Sequence, residues 1–579
     1  MKRTYIFCTL LLPLFSLAGC RSTHTSGRTH TANQSTSTPG SPHFTDVAQA
    51  AGINYQWKTS GSRPLNILGT IGNGCAFLDY NNDGNLDILL VGSQLALYQG
   101  DGRGHFTNVT HQAHLDQIHG HFLGCAVGDY DNDGYEDIYL TAYRGGVLLH
   151  NQGGKYFVDV TKQAGIAPQP WGTSAAWIQT TNDGRLDLFI CDYVAFGPHT
   201  NPQLCSNNGI MTACGPRFYT GIPGVLYHNL GNGKFIDVSK QWGLHSSTGN
   251  ASGENAALQT GGLHGKDLGV ASADFDGSGR QSLYVANDEV EGDLMQNLGN
   301  RFKNIGAESG TAFNADGNVH GGMGVDWGDY DNDGRLDLAV ATFQHESKCI
   351  YHNDGGGLFT ESSAQLGIAD KALSFVSFGV KFFDFNNDGW LDLIFASGHV
   401  QDNIKLIDKS SAYHQPMMLL QNQNGTAFRD VSQQAGSALK KRIVGRGLAI
   451  GDYDNDGRVD VLVVDSEGAP LLLHNETSPV GNWIEARLVG KKSNRDGLGA
   501  LVTFQVNGRK YLRLCQTDGS YLSASERRVH CGLGSASEAV ISVRWPGGEI
   551  DSYGAVPANH IVTLVEGEHH AYMYGTDHE

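Results

Sequence analysis

The stretch GDYDNDGRLDLAV, residues 328–340, joins an acidic, turn-forming phrase to a run of apolar residues with strand character. The phrase GDYDNDG recurs at 128–134 and 451–457, each time ahead of another apolar run (EDIYL, VDVLVV). Aligning on it gives seven copies, beginning at Asp79, Asp129, Gln179, Asp274, Asp329, Asp384 and Asp452. The spacings are 50, 50, 95, 55, 55 and 68 residues. A unit near 50 residues therefore repeats, with insertions, which marks a repeat architecture.

Each copy sits in a longer pattern. A Gly-rich apolar segment leads in (GNGCAFLDY, LGCAVGDY, GMGVDWGDY) and an alternating segment leads out (LDILLVG, LDLFICD, LDLIFAS). A third segment ends in a turn (LLHNQGGKYF, LYHNLGNGKF, IYHNDGGGLF), and a fourth reads FVDV, FIDV or FRDV. Four short strands per unit, joined by Gly, Asn and Asp turns, predict an all-β fold of β-propeller blades. The fourth strands begin at Phe44, Phe106, Phe157, Phe235, Phe302, Phe359 and Phe428. Phe44 precedes the first acidic phrase, and no such strand follows the seventh. The spacing predicts a seven-bladed ring in which Phe44–Val47 completes the blade built by Ala449–Asn475.

In D-x-[DN]-x-[DN]-G-x-x-D, side-chain oxygens fall at positions 1, 3, 5 and 9. Position 7 offers a carbonyl, and the glycine at position 6 permits a sharp turn. This is hard-oxygen ligation suited to Ca²⁺. Five copies keep an oxygen at every ligand position: Asp79, Asn81, Asp83 and Asp87; Asp129, Asp131, Asp133 and Asp137; Asp329, Asp331, Asp333 and Asp337; Asp384, Asn386, Asp388 and Asp392; Asp452, Asp454, Asp456 and Asp460. About five calcium sites are expected. Gln179, Thr181, Asp183 and Asp187 contain two carboxylates, as do Asp274, Asp276, Ser278 and Ser282, so weak or no metal is expected there. The seven loops hold 22 aspartates, which repel one another unless a cation lies among them.

The 579-residue chain has 77 glycines, 17% charged residues and a formal charge of −19. That balance excludes nucleic acid as a natural partner. Residues 1–20 carry Lys2 and Arg3 ahead of a short apolar core, too short to span a bilayer, and read as an export signal. Its ending Leu17-Ala18-Gly19-Cys20 resembles the bacterial lipobox, which implies lipidation of Cys20 and anchoring to a membrane surface of the cell envelope by lipid alone. Residues 21–42 form a Ser/Thr/Gly-rich tether, 43–478 the propeller, 479–569 a small all-β sandwich or barrel, and 570–579 a tail. An exported chain permits disulfides. Cys205 and Cys214 would close a short polar insertion, and Cys515 and Cys531 are candidates for a second bond. The partners of Cys75, Cys125, Cys191 and Cys349 stay open.

The loops resemble the FG-GAP/VCBS repeats of integrin α-subunit propellers. With Phe-x-Asp-Val and ASGHV at 396–400, the whole resembles the cartilage-acidic-protein family. The tail is similar to an ASPIC/UnbV domain through GNWIEARLVGKKSNRDGLGALVTF at 481–504, DGSYLSASERRVHCGLG at 518–534 and VRWPGG at 543–548. The resemblance implies a propeller followed by a small β domain, and no shared reaction.

If the acidic loops join strands one and two on one face, the insertions at 192–224, 241–266 and 398–418 fall on the other. His119, His121, Trp171, His264, His320 and Arg446 enter the inner strands there and are candidates for a ligand funnel. His150, His228, His352 and His474 recur before Asn at the third-strand turn, a position that suggests a structural role in each blade. No nucleophile elbow, phosphate loop, HExxH or CxxC is present. The pattern predicts a calcium-binding lipoprotein that binds a protein, glycan or matrix ligand. An enzyme or biosynthetic accessory using the funnel, and a purely structural envelope component, are the alternatives.

Overall fold

The computed structural model describes residues 40–59, 61–245 and 262–574. The export signal, Cys20, the tether to residue 39, most of the 241–266 insertion and the last five residues lie outside the described residues.

Seven antiparallel four-stranded units follow one another; the second and third are joined into one eight-stranded sheet where Gln169 and Trp171 pair with Gly145 and Tyr143, and His320–Gly321 adds a fifth strand to the fourth. The first is Cys75–Leu78, Asp87–Leu90, Ala96–Gly100 and Phe106–Asn108. The innermost strands of the next six are Phe122–Gly128, Gln169–Ile178, Asp267–Ala273, Val325–Gly328, Ser377–Phe383 and Gly445–Gly451. Each lies against the innermost strand of the next sheet, and that of the seventh lies against that of the first, which closes a ring. Burial falls from axis to rim. Phe122–Gly128 is buried throughout, whereas the outer strand Phe157–Asp159 buries only its phenylalanine. That gradient explains a sequence pattern of apolar lead-ins and single-Phe outer strands.

Closure is as the spacing predicts. The strand Phe44–Asp46 pairs antiparallel with Leu471–Asn475, Phe44 opposite Asn475. Phe44 is buried beside Phe383 and Phe385, with ring centroids 6.4 and 6.3 Å away.

The C-terminal domain is two four-stranded sheets around a shared core that includes Ile484, Leu488, Phe504, Ile541 and Leu564. One sheet contains Val529–Gly534, Asn482–Val489, His560–Val565 and Tyr572–Met573; the other contains Arg509–Leu514, Leu501–Val506, Glu538–Arg544 and Ile550–Pro557. The pair Asn482–Val489 and His560–Val565 is parallel.

Between Arg509–Leu514 and Val529–Gly534, residues 517–526 leave this domain and run down the propeller axis, every one of them buried. The segment bonds to the innermost strand of all seven blades. Ser523 Oγ accepts from the Cys75 amide at 3.2 Å, and the Ala524 carbonyl accepts from Phe77 at 3.1 Å. The Leu522 carbonyl accepts from Cys125, and its amide donates to Ser174 Oγ at 3.0 Å. Asp518 accepts from the Ser272 hydroxyl at 2.6 Å, and Ser520 exchanges two bonds with Val325. Lys381 Nζ donates to the Asp518 carbonyl at 3.1 Å, and Ser525 Oγ accepts from Ile450 at 3.2 Å. Buried backbone groups require partners, and a seven-bladed ring leaves inner-strand amides facing its axis. The serines of this peg satisfy several of them. The inner-strand glycines make room: a Cβ on Gly74 would lie 1.7 Å from the Leu522 carbonyl oxygen, and one on Gly447 2.4 Å from Ser523 Oγ.

Cys205 and Cys214 are joined. The pairing of Cys515 with Cys531 is corrected: both are free and buried. The Cys515 thiol lies 3.6 Å from the Asp496 carbonyl and that of Cys531 3.5 Å from the Gly532 carbonyl, so each is held locally in its own surroundings.

Candidate functional site

The acidic loops connect the first two strands of each blade. In the five complete loops the first aspartate accepts from the amides of positions 5 and 6. For Asp129 these come from Asp133 at 3.0 Å and Gly134 at 2.8 Å; for Asp452, from Asp456 at 3.1 Å and Gly457 at 2.7 Å. Position 4 is Asn in each, at Asn82, Asn132, Asn332, Asn387 and Asn455, with φ between 56° and 60°. Asn tolerates this left-handed backbone. Its amide then bridges blades: Asn82 donates to the Gly134 carbonyl, Asn132 to Gly184, Asn332 to Gly389 and Asn387 to Gly457. Asn455 reaches Asn85 at 3.3 Å, across the closure.

The ninth-position aspartates are buried and tie each loop to its third strand. Asp137 accepts from the Asn151 amide at 2.8 Å, and Asp460 from Asn475 at 2.7 Å. Burial, offset by those bonds, pushes Asp137 and Asp460 up to about 7. Burial and neighbouring aspartates push Asp329 up to about 8. A divalent cation removes that penalty. Ligand atoms of Asp129, Asp131 and Asp133, and of Asp329, Asp331 and Asp337, lie within 4.8 Å of one another, as a metal ion requires.

The recurrent histidines belong to these clusters, which the sequence pattern did not disclose. Nδ1 of His150, His228, His352 and His474 lies 3.1, 2.9, 3.2 and 3.3 Å from the ninth-position carboxylate of its own blade. His150, His352 and His474 each form a possible metal-holding trio with two aspartates. The Asn that follows each histidine ties blade to blade, as Asn151 donates to the Tyr80 carbonyl at 2.7 Å.

The C-terminal domain covers this face. Arg527 pairs with Glu136 at 2.8 Å and Asp496 at 3.0 Å; Glu136 accepts from the Asp79 amide and Asp496 from the Asp129 amide, each at 2.7 Å. Arg528 donates to the Asp452 carbonyl at 2.8 Å. The two loops that depart from the metal pattern are engaged as well. Gln179 accepts from the Asn494 amide at 2.8 Å, and Arg544 lies 3.8 Å from Asp274.

The opposite face contains a cavity of about 620 Å³. Ile67, Ile71, Met323, Phe343 and Phe378 supply apolar wall, and Asp288, Glu289 and Glu346 supply carboxylates. Ile71, Met323 and Phe378 belong to the same buried cluster as Tyr521 and Leu522, so the peg supports the cavity from below. One wall is the disulfide-closed insertion. It is a hairpin of Cys205–Asn207 and Ile210–Thr212, whose turn residues Asn208 and Gly209 have φ of 50° and 84°, as a tight hairpin turn requires.

None of the six funnel candidates lines this cavity, so the expected ring of imidazoles around one opening is corrected. His119 and His121 are exposed. Trp171 is fully buried one layer back, edge-on to Tyr143 and Tyr193 at 5.5 and 5.2 Å. His264 is paired with Asp293. His320 is buried against the Tyr351 hydroxyl at 3.1 Å, and burial holds its pKa down to about 4. Arg446 is buried, donates to the Thr70 carbonyl at 2.7 Å and stacks on Phe378 at 3.9 Å. These side chains lie at the surface or pack within and between blades, while the cavity is lined by the disulfide-closed insertion together with the upper ends of strands such as Asp267–Ala273 and Ser377–Phe383.

The FG-GAP-like repeat family matches residues 79–140, 129–190 and 274–340, and the ASPIC and UnbV family matches 490–571. The chain thus carries FG-GAP-like repeats within its β-propeller and an ASPIC and UnbV segment at its C-terminal end. It is similar to cartilage acidic protein 1: 23% identical to the human protein over 347 residues, 49% of this chain and 51% of that one. To the Xenopus tropicalis protein it is 23% identical over 403 residues, 68% of this chain and 54% of that one. The chain spans about half the length of the curated relatives it matches. Among solved structures it is similar to an Agrocybe aegerita lectin that recognises non-reducing terminal N-acetylglucosamine, with TM-score 0.37, 14% identity, and coverage of 68% of this chain and 86% of that one. It is also similar to YCF48 from Cyanidioschyzon merolae, with TM-score 0.37, 9% identity, and coverage of 72% of this chain and 99% of that one.

Proposed function

We propose that this protein is an exported, calcium-binding propeller lipoprotein that acts as a binding module for a protein, glycan or matrix ligand, taken in the cavity opposite the acidic loops. The observation that carries this reading is the cap. With the C-terminal domain over much of the acidic face and its peg filling the axis, the apolar-walled cavity that the insertions help to build on the opposite face is open to a ligand. Its volume falls in the range of ligand pockets, roughly 300–1,000 Å³. Loops on a rigid scaffold commonly carry recognition.

The five complete loops would hold calcium through their first, third, fifth and ninth side chains and the seventh carbonyl, the hard-oxygen set that calcium prefers. Calcium there would set loop geometry and the seat of the cap, at a distance from the ligand. Export is supported by the basic, apolar opening of the chain and by a disulfide in a surface insertion. No helix among the described residues is long and apolar enough to cross a membrane.

The test is a screen of glycans and extracellular proteins against the purified protein, followed by Gln401→Trp, which puts bulk into the cavity from a half-buried lining position. The expected ligand loses affinity for Gln401→Trp and keeps it for Asp129→Ala at a temperature where both variants are folded. A ligand indifferent to Gln401→Trp refutes the cavity as the site.

A further inference from the structure

We propose that the cavity takes an organic cation, whose ammonium or guanidinium group sits among Asp288, Glu289 and Glu346 beside the ring of Phe343. This rests on the cavity being the binding site and adds the chemistry of what it binds.

The lining holds three carboxylates against one guanidinium, that of Arg217. Arg217 is exposed and lies over the Phe218 ring at 5.5 Å. Asp288 and Glu346 converge on a gap left by a missing side chain. A Cβ built on Gly321 would lie 3.2 Å from Asp288 Oδ1 and 3.8 Å from Glu346 Oε2. Across the cavity, a Cβ on Gly215 would lie 3.1 Å from Glu289 Oε1. Two of the three acids are held in place. Asp288 Oδ2 accepts from the Tyr193 hydroxyl at 2.6 Å, and Glu346 Oε2 accepts from the Gly321 amide at 3.0 Å and the Phe343 amide at 3.2 Å.

The nearby lysines offset the site only in part, Lys348 acting on Glu346 and Lys266 on Asp288 through space. Lys348 is buried and spends its Nζ on the carbonyls of Phe343 and Phe375, at 3.0 and 2.9 Å, with burial holding its pKa down to about 7. Lys266 acts on Asp288 only through space, and the stronger influences are burial and the Tyr193 bond. Burial, with Glu289 and Glu346 adding to it, pushes Asp288 up to about 7. Like charges gathered in a half-buried, apolar pocket are costly, and a cationic ligand converts that cost into attraction. Aromatic rings add to the attraction through their negative faces. Phe378 already carries the guanidinium of Arg446 at 3.9 Å, so Phe343 is the ring left to a ligand cation. A cavity of about 620 Å³ with Ile67, Ile71 and Met323 on its walls suits apolar bulk around the charge, which a metal ion lacks.

The test is calorimetric titration of the calcium-loaded protein with four probes: choline, spermidine, the neutral choline isostere 3,3-dimethylbutan-1-ol, and succinate. Choline or spermidine is expected to bind saturably, and the isostere and succinate to fail. The double variant Asp288→Asn/Glu346→Gln is expected to weaken the cation by about tenfold or more, the scale of one lost charge contact. Gln401→Trp is expected to block it. Melting curves establish that each variant is folded, and Glu289→Gln, at an exposed position, supplies a second charge removal that leaves buried groups intact. Equal binding of the isostere or of succinate, failure of both cations to bind, or unchanged cation affinity in the charge variants overturns the cation assignment. If Gln401→Trp still blocks whichever probe binds, the cavity stands as the site. Cation binding that survives Gln401→Trp overturns both readings.

Discussion

Gly74→Ala isolates the contribution of the peg. The backbone at Gly74 is not left-handed, so alanine meets no conformational penalty of its own, and the effect is steric. The new Cβ would sit 1.7 Å from the Leu522 carbonyl oxygen, where ordinary contact begins at 3.4 Å. Backbone sits on both sides of the clash, so neither partner yields by rotating a side chain. If the peg moves, the Leu522 carbonyl gives up the Cys125 amide, now at 3.1 Å, and the adjoining bonds between Ala524 and blade one are strained. Each such bond contributes about 1 kcal/mol net. Leu522 is fully buried, and displacing it forfeits part of the roughly 2–5 kcal/mol that a buried leucine is worth. The expected loss is about 3–5 kcal/mol. Differential scanning calorimetry at fixed calcium reads the stability. Limited proteolysis reads the peg directly, because a displaced peg becomes cleavable near residues 517–526. A Gly74→Ala protein that melts with the parent and keeps the segment protected would refute the claim that the peg is packed against the inner strands.

Calcium should stabilise the fold. With dissociation constants of ~10⁻⁴–10⁻³ M and about 1 mM calcium, five independent sites would contribute roughly 2–7 kcal/mol; an identical melting curve after verified metal removal argues against the sites. Phe44→Ala should cost about 3–5 kcal/mol and, by loosening the closure strand, favour association through the exposed edge of blade seven; a monomer with the parent melting temperature contradicts closure. Asp518 tests the electrostatics of the peg. Burial pushes its carboxyl from 3.8 up to about 7, so its contribution is whole below pH 3.8 and declines as pH rises through 7. Asp518→Asn, which keeps an acceptor for Ser272, should therefore gain stability over the parent at pH 8.5 more than at pH 5.5. A gain independent of pH shows that the carboxyl is ionised throughout.

Local pattern made the blades legible. The strand–acidic loop–strand phrase, the single-Phe outer strand and the misplaced Phe44 each report on neighbours within one repeat, or on counting repeats, and the ring follows from them. The acidic clusters of the loops were legible for the same reason, since their oxygens lie within nine consecutive positions. The histidines at 150, 228, 352 and 474 were visible as a periodic feature, yet their approach to the acidic loop spans two strands and depends on register. The inner-rim candidates misled because chain position near an axis says nothing about which way a side chain faces. Trp171 and His320 are where topology puts them, but they point into the packing between blades.

By itself, the sequence determined an all-β ring of seven acidic-loop repeats, closed by its own N-terminal strand and followed by a small β domain, because each of those features is written in short, repeated spacings. Tertiary structure alone decided that DGSYLSASE leaves its domain to fill the axis, that the domain caps the acidic face, and that a carboxylate-lined cavity opens on the other. The physical reason is that the peg has no periodicity to read. Its polar residues look like a surface loop until the innermost strands of the seven blades, with bonding partners 75 to 448 residues away in the chain, are brought around them.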